Sequence, residues 1–135
     1  MFDSTTSAID AELKETECKR QTLATLSLLV KFLDHASILN DIFATYSPHG
    51  TVEYQPTSEH SRANARCKIG FERTGTGECV EVEVSVFRDA DSCSVLCNLG
   101  NSTLLHYECV DHAPTLSERR EIAAMLYGAL KVFTY

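Results

Sequence analysis

The sequence predicts an α+β fold: a long N-terminal helix, an antiparallel meander sheet of four to five strands, and a C-terminal amphipathic helix. Three observations carry this. Residues 4–46 contain neither glycine nor proline until Pro48-His49-Gly50 stops the helical pattern. Beyond that point the apolar period changes from helical to two. Thr115-Leu116-Ser117-Glu118 then reads as a capping box that opens a final helix-periodic run.

Each element follows in order. Ser4 or Ser7 is placed to cap the first helix, and Asp10 and Glu12 suit the positive end of its dipole. A bend is allowed between about residues 34 and 38. Its second half carries two apolar stripes. Leu23, Leu26, Val30 and Leu33 have the 3-4-3 spacing of a coiled-coil seam, while Leu29, Phe32, Ala36, Leu39 and Phe43 mark a different face. One stripe suffices to dock a helix on a sheet, so the seam is expected to be spare and available to a partner.

Strand alternation then appears in Thr51-Val52-Glu53-Tyr54-Gln55, in Ala65/Cys67/Ile69/Phe71, and most clearly in Val80/Val82/Val84/Val86. It continues through Cys93 to Leu99 and from Thr103 to Val110. Thr74-Gly75-Thr76-Gly77-Glu78 supplies glycines for a hairpin. Short turns exclude parallel pairing, which needs a crossover of a dozen or more residues. One face is expected to lie under the helices, the other to carry Arg66, Lys68, Glu81 and Glu83. Ile122, Leu126, Ala129 and Phe133 form the core stripe of the closing helix. The 135 residues therefore read as a single domain, 1–135, with a helical arm at 4–46, a sheet at 50–110 and a closing helix at 115–133.

Composition bounds the function. A net charge of −7 argues against general electrostatic binding of nucleic acid, which rests on an excess of Lys and Arg. The densest apolar run, Leu28-Leu29-Val30, ends at Lys31, far short of the ~20 residues of a membrane helix. Met1 to Thr6 lacks the basic and apolar regions of a secretory signal, so a cytoplasmic or nuclear location is expected, with six free thiols.

Four soft ligands, Cys93, Cys97, His106 and Cys109, form the one candidate zinc set. Strand geometry opposes it. His106 and Cys109, three apart, point to opposite faces, and Cys93 and Cys97 are separated by about 13 Å at ~3.3 Å per residue. Buried thiols are the expected outcome, with no metal and no cofactor. No cysteine stands in a nucleophile motif, and Gly75 and Gly77 are not followed by the Lys-Ser/Thr of a phosphate loop. Asp89 and Asp91 suit a solvated turn, and Glu81 and Glu83 suit an outer strand face better than a catalytic pair. No catalytic residue is therefore assigned, and the chain is read as not an enzyme. Arg62, Arg66, Lys68 and Arg73 make the only local positive patch, a salt-bridged surface or a dock for an acidic partner.

A seamed N-terminal helix, a small antiparallel sheet and a closing helix resemble, over residues 20–133, the RWD-like globular domains of coiled-coil kinetochore subunits. Tyr54-Gln55-Pro56 is a fragment of the Tyr-Pro motif of that group. The chain departs from it in having a fifth strand and a single C-terminal helix. The resemblance implies a non-catalytic, dimerising adaptor and assigns no residue a role. The leading expectation is accordingly a protein–protein interaction module that self-associates or joins a complex through Leu23, Leu26, Val30 and Leu33. The alternatives are a client-binding chaperone or phage-type inhibitor of a host protein, and a small enzyme or zinc-binding domain.

Overall fold

The computed structural model describes residues 2–40, 43–49, 52–53, 63–88, 92–110 and 112–134. Helix α1 (Phe2–His35) leads into a single-turn helix α2 (Ser37–Asn40). Strands β1 (Phe43–His49), β2 (Val52–Glu53), β3 (Ala63–Arg73), β4 (Cys79–Arg88), β5 (Ser92–Leu99) and β6 (Ser102–Val110) follow, and helix α3 (Leu116–Thr134) closes the order. The fold is α+β. The path across the antiparallel sheet is β1-β3-β4-β5-β6, and β2 shares the outer edge of β3 with β1. No helix among the described residues is long and apolar enough to cross a membrane.

The expected helical arm at 4–46 is corrected at both ends. Helical backbone begins at Phe2, so neither Ser4 nor Ser7 stands at the cap. It stops at His35, within the range where a bend was allowed, and residues 43–46 are strand. The physical reason is pairing. Residues 68–73 on the outer edge of β3 need backbone partners, and Phe43 to His49 supply them with a bulge between Thr45 and Ser47. Phe43 keeps the buried role its periodicity implied, but delivers it from a strand. Its ring meets Phe71 edge-on at 6.0 Å and 62°. The sheet therefore starts at 43 instead of 50. Of the strand expected at 51–55, Val52 and Glu53 are strand, and the rest, with Tyr54-Gln55-Pro56, lies outside the described residues.

The sheet register places the apolar alternations on one face. Ala65 faces Val86, Ile69 faces Val82, and Val84 faces Cys97. Gly75 and Gly77 sit at φ of 94° and 72° in the β3–β4 hairpin, a conformation costly for residues with a Cβ. Arg73 N–H donates to the Glu78 carbonyl at 2.7 Å to close it. On the opposite face Lys68 and Arg66 reach diagonally to Glu81 (3.6 Å) and Glu83 (3.9 Å).

Helix α1 lies over β3 and β4, and α3 lies over β6. Both helices thus cover the same sheet face, and their apolar residues merge with the valines of β4 in one core. This corrects the expectation of a spare seam. Leu26, Val30 and Leu33 are buried in the chain's own core, Leu33 at 0% exposure, and Leu23 alone remains partly open at 36%. The second stripe is also covered, with Leu29, Ala36, Leu39 and Phe43 buried. A long helix with two apolar faces is satisfied here because the sheet shelters one side and the α3 region the other. The buried threonine hydroxyls of α1 bond back within the helix. The buried Thr22 hydroxyl donates to the Cys18 carbonyl at 2.7 Å, one turn back.

Candidate functional site

Two features stand out, and both involve the start of α3. The first is the seam between α1 and α3. Because the helices sit over different strands, they leave a groove. A pocket of about 140 Å³ is lined by Ala24, Leu28, Leu29, Ala113, Pro114 and Arg119. A second, of about 380 Å³, is lined by Phe32, His35, Ala36, Ile38, Arg120 and Ala123. Between them the Arg119 guanidinium stacks over the Phe32 ring at 5.8 Å, and its Nη1 donates to the Pro114 carbonyl at 3.1 Å. Leu28 on one wall is 51% exposed, and Leu116, at the start of α3, is 48% exposed. The groove is thus apolar at its floor and basic along the α3 side, in a chain whose net charge is −7.

The second feature is the corner where β6 ends and α3 begins. Cys109 is buried on the inner face of β6, directly across from Cys93 on β5. The turn that follows returns His112 beside Glu118 of the first turn of α3. Glu118 anchors everything there. Its Oε1 accepts from Thr115 N–H at 3.1 Å and lies 2.8 Å from His112 Nε2, and its Oε2 accepts from the Cys109 thiol at 3.4 Å. The Thr115 hydroxyl accepts from Glu118 N–H at 3.2 Å, which completes the capping box the sequence predicts. His112 Nδ1 lies 2.7 Å from the Val110 carbonyl oxygen.

These bonds set the local acidities. The Thr115 N–H above all, then the His112 and Cys109 donors, hold the Glu118 carboxyl down at about 2. A carboxyl depressed on folding stabilises above its ordinary value near 4.5, and that contribution fades as the pH falls through about 2. Burial, then the Glu118 carboxylate, pushes the Cys109 thiol up to about 12. Burial raises Cys93 as well, against the attraction of the nearby Arg88 guanidinium. Truncating the cap should be measurable: Thr115→Ala is expected to cost about 1 kcal/mol in chemical denaturation, with α3 otherwise intact.

The zinc set read from the sequence is not assembled. Cys93 and Cys109 do meet, but Cys97 pairs with Leu105 four residue pairs along the ladder. His106 projects from the opposite face of β6 and is exposed near Glu108, at 4.0 Å. The two-residue period of a strand separates His106 from Cys109, whereas a turn brings in His112. Glu118 enters the sequence reading only through the capping box; the spacing Cys109-x2-His112-x5-Glu118 was the available signal for the group.

The basic patch is likewise dispersed. Arg62 lies outside the described residues. Arg66 and Lys68 share the open face with their glutamates, while Arg73, of opposite parity along β3, pairs with Glu78 at 3.8 Å. The Asp89 and Asp91 loop also lies outside the described residues.

Compared with known proteins, the chain matches no family model, no curated protein and no solved structure.

Proposed function

We propose that the protein is a non-enzymatic interaction module whose groove between α1 and α3 receives an apolar segment of a partner protein flanked by acidic residues. The observation that carries this reading is the pairing of an exposed leucine with a basic wall. Leu28 stands open in the pocket that Arg119 lines, and Arg120 lines the adjoining pocket, on a chain whose net charge is −7. Exposed apolar surface of this kind marks interaction sites, and the local charge selects the sign of the occupant. The resemblance to RWD-like adaptors read from the sequence favours an adaptor role, although the proposed contact surface differs from the Leu23–Leu33 seam.

The test is selection of short peptides from a displayed random library against the full chain. Enriched peptides should combine two apolar anchors with neighbouring Asp or Glu. Leu28→Asp should weaken their binding about tenfold or more, since burying one leucine contributes ~1.5–3 kcal/mol. Arg120→Glu should weaken acidic peptides in particular. Enrichment that ignores both substitutions would overturn the proposal. So would a dimer in light scattering that Leu28→Asp dissolves, because the groove would then belong to a second copy.

A further inference from the structure

From the β6–α3 corner we infer a binding site for one zinc ion, with Cys109, His112 and Glu118 as ligands and Cys93 closing the tetrahedron. This goes beyond the interaction reading and does not depend on it. The donor atoms of Cys109, His112 and Glu118 all lie within 4.8 Å of one another. The Cys109 thiol meets Glu118 Oε2 at 3.4 Å and His112 Nε2 lies 2.8 Å from Oε1, so the carboxylate stands between the sulfur and the imidazole, and either oxygen could serve as the ligand of a zinc bound at about 2.0–2.3 Å. Cys93 is the cross-strand neighbour of Cys109 on the same face. Sulfur, imidazole and carboxylate together are a borderline-soft donor set, suited to Zn²⁺ and not to calcium or magnesium.

The surroundings are those of a supported site. His112 Nδ1 is seated on the Val110 carbonyl, which orients the ring and directs Nε2 at the carboxylate. Metal-bound histidines are commonly held this way. Thr115 N–H anchors Glu118 from outside the ligand set. Arg88 faces Cys93 across the β4–β5 ladder and balances the charge of two thiolates and one carboxylate around a divalent ion. The ligands come from β5, β6, the turn and α3, so a bound ion would tie the helix start to the sheet. The thiol protons of Cys93 and Cys109 leave to solvent as the metal–sulfur bonds form.

The experiment titrates the full chain, stripped of metal and kept reduced, with Co²⁺ and then displaces it with Zn²⁺. One equivalent should give the intense visible bands of tetrahedral cobalt together with thiolate charge transfer. Cys93→Ser should remove about half of that charge transfer. Cys109→Ser and His112→Gln should each lower affinity on the order of 100-fold, at least the effect of losing an outer-shell partner. His112 is exposed, so His112→Gln is expected to fold, and circular dichroism checks this for each variant. One equivalent of Zn²⁺ should raise the thermal midpoint of the wild type and leave that of His112→Gln unmoved. Cys67→Ser, Cys79→Ser and His106→Gln should change nothing. Absence of stoichiometric binding, an octahedral cobalt spectrum, or binding lost with Cys67 or Cys79 instead would overturn the site. Full charge transfer in Cys93→Ser would overturn the fourth ligand. A Cys93–Cys109 disulfide in freshly purified protein, seen by intact mass, would also overturn it.

Discussion

Phe43→Ala should destabilise the protein by about 3–5 kcal/mol, a large share of the roughly 5–15 kcal/mol that holds a typical native chain. Phe43 is almost fully buried, packs edge-on against Phe71, and begins the strand that covers the outer edge of β3. Losing the ring opens a cavity beside Phe71 and weakens the docking of β1 at the same time. Urea denaturation should show a lower midpoint. Hydrogen exchange should show faster exchange of the β3 amides bonded to β1, while those bonded to β4 hold until global unfolding. A loss below 1 kcal/mol would mean that β1 contributes little to the sheet.

Leu33→Ala is the second large effect, about 2–5 kcal/mol. The residue has 0% exposure and sits in the single core shared by α1, the sheet and α3. The outcome separates two roles for the α1 seam. A core residue lowers the denaturation midpoint at every protein concentration. An interface residue makes stability depend on concentration and changes the mass in solution. The expectation is the first. Leu23→Ala, at the partly open end of the same stripe, should stay within about 0.5 kcal/mol.

How far the sequence revealed this molecule depends on whether each signal was local. The Val80–Val86 alternation, the Gly75/Gly77 hairpin and the Thr115–Glu118 box are each decided by a few adjacent residues, and each appears where the pattern placed it. The end of α1 was not local. Leu39 and Phe43 continue a helical stripe, and only the open edge of β3, more than twenty residues downstream, converts Phe43–His49 into a strand. The two stripes of α1 were legible, but their destination was not, because no local pattern says that α3 will fold back beside α1. The corner site shows the same division. Cys93 and Cys109 were visible as soft ligands on strands. Their companions His112 and Glu118 come from a turn and a cap, whose convergence depends on the angle at which α3 leaves the sheet.

The two-piece margin of the sheet has one more consequence. Along β3 the bordering chain is kinked between Thr45 and Ser47, and Pro48 follows with no amide hydrogen to offer. A newcomer strand arriving from solvent meets a crooked rim there, a poor template for fibril growth. Straightening it, by replacing Pro48 and deleting one kinked residue, should raise thioflavin-T fluorescence on prolonged stirring above that of the unaltered chain.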